Sequence, residues 1–310
     1  MLELAKQYLK PEVVELLKNV KGEIKMPNLL SGNTKLDKGK SIVVGLALLP
    51  ATSLEAYTLD TVKTENMCPT AKAHFCDKIC IGLYSGHYSM LRGSAHKAQI
   101  KRSLAFQFDF EGFKAQLFGE LAVMAGKAIA GDTKAYIRLD VFSDNKIKNA
   151  ELIREFALKF PDLIDYLEWY DYTKIHTIQK TDSMWNVYGR YGSNIALSVS
   201  KESTKGKLFN QYLKALPSFN YSAIVVHETE VAETIKLLNT VSSNVQAVNG
   251  DLFDNFTTHK NDPELIDHTI LVLKSKGSKN TTKQAVTDTF SVTEREAFIL
   301  YVAAFSSLIK

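Results

Sequence analysis

Short, almost wholly apolar runs recur along this sequence, and a stretch of helical periodicity follows nearly every one. The runs fall at 41–49, 135–142, 167–172, 194–200, 223–226, 245–248 and 269–273. A strand that is apolar at every position is covered on both faces, and helical connectors between such strands make them run parallel. The pattern therefore predicts an α/β protein built on a parallel sheet, either an open doubly wound sheet or, as the favoured form, a partial or complete (β/α) barrel, with an N-terminal helical extension. The run at 2–19 has three-to-four apolar spacing interrupted by Pro11, which predicts two short helices or a kink. Residues 21–39 are rich in Lys, Gly, Asn and Ser and read as an extended arm. Asp109 is placed to cap a helix that Gly131 ends. Thr293 and Glu296 form a capping box for a last, apolar helix. The expected organisation is an N-terminal helix and arm over 1–40, one α/β domain over 41–292, and a C-terminal helix over 293–310 packed on that domain.

All three cysteines of the 310 residues lie within thirteen positions, Cys68, Cys76 and Cys80, spaced C-x7-C-x3-C in a stretch that reads as loop. An odd set of thiols cannot be fully paired within the chain. No secretory leader is legible and no apolar run reaches the ~18 residues of a membrane span. The expected compartment is therefore the cytoplasm, with no membrane partner, where clustered thiols stay reduced and bind metal. Three thiolates suit zinc with a fourth ligand, for which His74 and His87 are candidates, or three irons of a four-iron cluster. Net charge is +4, well short of a dedicated nucleic-acid binder. It admits a nucleic acid or a nucleotide substrate without requiring either.

Ligands of parallel α/β folds gather at the carboxyl ends of the strands, and polar residues recur there. They are Asp140, Ser143 and Asp144; Asp171, Thr173 and Lys174; Ser198 and Ser200; His227 and Glu228; Asp251 and Asp254; and Lys274 and Lys276. Turn formation explains a share of them. Asp140 stands apart because the apolar run encloses it. A carboxylate there needs a partner, for which Arg138 and Lys174 are the candidates. His227 follows four apolar residues and is placed for a pocket. The basic set His96, Lys97, Lys101 and Arg102 has helical spacing and reads as a solvated face, with phosphate binding as the other reading.

Several local patterns coincide with one known family. Asn33-Thr34-Lys35-Leu36, Gly45-Leu46, Cys68-Pro69 with Cys76 and Cys80, and 98–103 (AQIKRS) resemble its opening. The run 138–144 (RLDVFSD), Tyr170-Asp171-Tyr172-Thr173-Lys174, Gly250-Asp251 and 273–277 (LKSKG) resemble its later motifs, with Asp140 where the family has Asn. The chain thus resembles, over about 30–280, the bacteriophage family named in mycobacteriophages for gene product eighty-eight. The resemblance implies a phage or phage-derived gene acting in the host cytoplasm, and brings no activity with it.

A cysteine loop after the first strong strand is also similar, at greater distance, to radical S-adenosylmethionine enzymes. That likeness implies a 4Fe-4S cluster on Cys68, Cys76 and Cys80, with S-adenosylmethionine on its open iron. Ser143, Asp144, Ser198 and His227 would bind cofactor, and Asp140, Asp144, Asp171 and Lys174 would do the chemistry. The spacing departs from that superfamily's usual C-x3-C-x2-C, and Ile79 stands where an aromatic is usual. Two other readings stay open. One is a zinc protein that processes nucleotides or nucleic acid, with Asp140, Asp171 or Asp251 as base or nucleophile. The other is a non-enzymatic phage protein that binds a host factor.

Overall fold

A computed structural model describes residues 5–19, 21–32, 42–74, 76, 80, 93–176, 194–252, 268–274 and 291–306. His87, Asp254 and Lys276 lie outside them. The described residues contain seven α-helices and eight strands, and the strands pair mostly in parallel. The chain divides into two compact units whose segments interleave.

The first unit takes most of residues 1–69 and 80–168. Pro11 sits at the first position of α1 (Pro11–Leu17), where its missing N–H costs nothing. A turn of 3-10 helix, Lys6–Tyr8, precedes it, so the proline divides the N-terminal run in two. Leu9, Val13 and Leu17 from this segment pack with Leu49, Leu54, Ile100 and Leu104 in one buried cluster. The arm reaches β1 (Leu30–Ser31), which pairs antiparallel with β2 (Ile42–Leu46). Glu120 fixes the arm, its two carboxylate oxygens accepting from the backbone N–H of Leu29 at 2.8 Å and of Leu30 at 2.7 Å.

Two long helices follow, α2 (Ser94–Phe108) and α3 (Phe110–Ala130), then β3 (Ala135–Arg138) and α4 (Lys146–Lys159). The Asp109 side chain accepts from Gly112 N–H at 3.1 Å and so starts α3, which ends at Gly131, as the sequence predicts. The basic set on α2 is a correction. His96 and Arg102 are buried, because His96 Nε2 meets the Tyr57 hydroxyl at 2.7 Å and Arg102 Nε donates to Asn28 O at 2.8 Å. Backbone carbonyls of the arm, not water, satisfy much of that face.

Strand β3 is shorter than its apolar run. It pairs parallel with β2 from Ile42↔Ala135 to Gly45↔Arg138 and then peels away, so Asp140 lies two residues beyond the strand and not inside it. Two backbone bonds carry the chain onward, Val141 N–H to Leu46 O at 3.2 Å and Asp144 N–H to Met67 O at 2.8 Å. Gly45 permits this path, since a Cβ there would stand 2.6 Å from Val141 Cγ2.

The second unit takes 70–79 and most of 169–310. Its strands are β4 (Leu167–Thr173), β5 (Asn194–Val199), β6 (Tyr221–Val226), β7 (Val245–Asn249) and β8 (His268–Lys274). They run in the order β4-β5-β6-β8-β7, all parallel, so the last strand in sequence inserts beside β6 and leaves β7 outside it. Helices α5 (Gly206–Ala215), α6 (Val231–Leu238) and α7 (Glu294–Phe305) complete the unit, α7 packing on both α5 and α6. The Thr293–Glu296 capping box forms as the sequence predicts. Leu197, Ile224, Ile270, Val272, Tyr212, Leu300 and Tyr301 are fully buried, the burial on two faces that all-apolar strands require.

Candidate functional site

Each unit places a polar cluster at the carboxyl ends of its strands. In the first unit the cluster is built around Asp140, which is buried. Its Oδ1 accepts from the Ser143 hydroxyl, and its Oδ2 accepts from Lys146 Nζ at 2.6 Å and from Asn149 Nδ2 at 2.7 Å. Lys146 and Asn149 belong to the first turns of α4, whose N-cap is Asn145. The helix N-terminus itself favours a carboxylate there. The Lys146 side chain is fully buried and also lies 3.6 Å from Asp144 Oδ1. One ammonium thus stands against two carboxylates in a site from which water is largely absent.

Cys68 belongs to the same neighbourhood. It is buried, its Sγ accepting from Ala51 N–H at 3.3 Å and donating to Phe142 O at 3.7 Å. Burial raises the pKa of this thiol far above its ordinary value, the Ala51 N–H partly offsets that, and the charges of Asp144, Cys80 and Asp140 push it up again. Two of the three cysteines, Cys68 and Cys80, are therefore close enough to act on each other electrostatically. Ala51 holds a left-handed φ of 48°, uncommon for a residue with a Cβ, at the point where it bonds the thiol. Backbone held in this way concentrates at functional sites.

In the second unit the cluster forms where β4 and β5 end. Lys174 Nζ donates to Ser198 Oγ at 3.1 Å, and the buried Tyr212 of α5 donates to Ser198 O at 3.1 Å and lies 3.3 Å from Lys174 O. The rings of His74 and His176 both pack on Tyr212, with centroids 5.8 and 5.3 Å away. His74 is 1% exposed, and its Nδ1 lies 2.8 Å from Ser200 Oγ. Ser200 in turn forms a reciprocal cap with Ser203. Among the described residues His74 Nε2 has no hydrogen-bond partner. Burial pushes the His74 pKa down to about 3, with the charges of Lys174 and His176 acting in the same direction, so the ring is neutral. Cys76 follows two residues later, its Sγ 3.8 Å from His74 O.

The remaining sequence candidates are bonded within or beside their own strands. Asp171 is buried in β4 and its Oδ1 accepts from Tyr172 N–H at 2.9 Å. His227 caps the turn after β6, its Nδ1 lying 2.7 Å from Thr229 Oγ1. Asp251 accepts from Lys274 N–H at 2.6 Å and so ties the end of β7 to that of β8. A buried Ser–His pair also exists. Ser222 Oγ lies 2.7 Å from His268 Nε2 and 2.6 Å from the Tyr301 hydroxyl, and His268 Nδ1 lies 2.6 Å from Phe219 O. All of its side chains are shut from solvent, and it sits at the amino ends of β6 and β8, where it knits the core.

Sequence reasoning missed Lys146, Asn149, Ser203, Tyr212 and His176. Lys146 had a faint signal, a cation six positions after an unexplained buried acid. The contact of His74 with Ser200 spans 126 positions and had none. Among the described residues no group of three or more His, Cys, Asp or Glu side chains stands together in a way that would hold a metal ion. Nor, among them, is any helix long and apolar enough to cross a membrane.

A family model described as Gene product 88 matches residues 27–288. No curated protein and no solved structure matches the chain.

Proposed function

The chain belongs to the Gene product 88 family, and from that premise we propose that it is a phage-type, thiolate metal-binding α/β protein, with Cys68, Cys76 and Cys80 as ligands of an iron–sulfur cluster. The observation that carries this reading is the Cys68 thiol, buried in the long loop that follows β2, near the Cys80 thiol and the carboxylates of Asp144 and Asp140. Left to itself, that setting holds the proton on sulfur. A bound cation inverts it, because metal coordination deprotonates a thiol outright and turns the surrounding negative charge from a penalty into a stabilising field. Among the described residues no three-ligand metal group stands together; the ligand set rests on the spacing in the sequence, and the setting of Cys68 near Cys80 supports it.

A cluster held by Cys68, Cys76 and Cys80 would supply one-electron chemistry toward S-adenosylmethionine. The protein's own residues have separate tasks. Asp140, engaged by Ser143, Lys146 and Asn149, positions the loop that leads to Asp144. Asp144 is the carboxylate whose charge weighs most on Cys68. Lys146 keeps the pair of carboxylates from repelling each other.

Single Cys68→Ser, Cys76→Ser and Cys80→Ser variants test the reading. Each is expected to lose bound iron after anaerobic purification while keeping the far-UV circular dichroism of the parent. Full iron retention by any one of them removes that cysteine from the ligand set.

A further inference from the structure

We infer that the His74–Lys174–Ser198 cluster at the carboxyl ends of β4 and β5 is a binding site for an anionic oxygen, a phosphate or carboxylate group of a small ligand. The inference needs no cysteine and stands apart from the metal reading.

It starts from the hydrogen-bond inventory of Ser200. Its hydroxyl oxygen accepts the Ser203 N–H, and its own N–H donates to Ser203 Oγ at 3.1 Å. The two hydroxyl oxygens are 3.3 Å apart, and His74 Nδ1 is 2.8 Å from Ser200 Oγ. A serine oxygen accepts two hydrogen bonds and donates one. The arrangement that uses both hydroxyl protons has Ser203 donating to Ser200 and Ser200 donating to His74 Nδ1. The imidazole proton then sits on Nε2. This assigns His74 as a donor N–H, at 1% exposure, with no acceptor among the described residues.

A buried donor without an acceptor costs about 1–3 kcal/mol, and the fold holds this one firmly. Ser200 fixes one side of the ring and Tyr212 packs against it. The same tyrosine hydroxyl bonds the carbonyls of Ser198 and Lys174, so the ring, the strand ends and the lysine are set as one piece. The Lys174 ammonium is near enough for its charge to act on His74. A cation near a buried N–H that lacks an acceptor selects a group carrying negative charge. Parallel sheets collect ligands at this end of their strands.

The test uses the full-length protein with inorganic phosphate in one titration and acetate in another, followed by long-range proton–nitrogen spectra of the histidine rings. Saturable movement of the His74 Nε2 resonance is expected with at least one probe. Response to phosphate alone assigns a phosphoryl ligand, and response to acetate alone a carboxylate. Lys174→Met is expected to weaken the responding anion at least about tenfold, the worth of one charge-assisted bond. Ser200→Ala, which frees the ring to turn, is expected to weaken it less. Should His74→Phe not fold, the Lys174 and Ser200 variants carry the test by themselves. No saturable response to either anion, or unchanged affinity in Lys174→Met, overturns the inference. Repeating the titration after removal of metal by chelation separates it from the thiol site, and the response is expected to persist.

Discussion

Lys146 Nζ lies 2.6 Å from Asp140 Oδ2 with both side chains withdrawn from water, so the first turn of α4 is bonded to the loop that leaves β3. Removing one partner of such a pair leaves an uncompensated buried charge. Lys146→Met is expected to cost about 3–5 kcal/mol, and Asp140→Asn somewhat less because its Ser143 and Asn149 partners remain. Combining the two should recover part of the loss. Urea unfolding of the two single variants and the double variant measures this. Additive losses, or single losses below about 1 kcal/mol, would show that the pair is not coupled.

His268 is fully buried and its pKa is pushed from 6.5 down to about 4 by burial, with the Phe219 carbonyl opposing. The sign follows from linkage. Between pH 6.5 and 4 the unfolded chain takes up a proton at this position that the folded chain refuses, so stability falls as pH falls through that window and this group adds no further slope below it. The difference is worth about 3 kcal/mol. Ring spectroscopy should find His268 titrating near the low end of the window. A pKa near 6.5 would contradict the buried Ser222–His268–Tyr301 network.

Gly45 tests the departure of the chain after β3. A Cβ there would meet Val141 Cγ2 at 2.6 Å and lie 3.5 Å from Arg138 O. Gly45→Ala is expected to cost about 1–3 kcal/mol through overpacking. Val141→Ala in the same chain should restore most of that loss. Failure to rescue would mean that the backbone of Arg138, and not Val141, sets the limit.

Ala51 holds its left-handed φ while bonding both Cys68 Sγ and the Met67 N–H. Replacement by glycine removes the steric cost and adds backbone entropy to the unfolded chain. The steric relief is the larger effect at such a φ, and a gain of about 0.5–1 kcal/mol is expected in thermal or urea unfolding. A loss of stability would mean that the Cβ makes a packing contribution that outweighs the strain.

The parallel α/β class and most of the elements were legible because they rest on local chemistry. Asp109 and the Thr293–Glu296 box could be read as caps, since a cap is decided within four residues. The end of β3 was not legible. Leu139 and Val141 continue the apolar pattern, and only the long-range bond from Val141 to Leu46 shows that the ladder has stopped. The same limit hid the partners of Asp140 and the burial of His96 and Arg102, whose contacts lie on other elements. Apolar periodicity says which side chains leave water. Where a polar group finds its partner is decided by tertiary neighbours that the pattern does not encode.

The metal reading stands or falls on the composition of the purified chain. After anaerobic preparation, quantitative analysis should find about four irons with matching inorganic sulfide per chain, all lost when Cys68, Cys76 and Cys80 are replaced together. One zinc per chain without iron or sulfide, or no metal in a folded protein, would contradict the cluster.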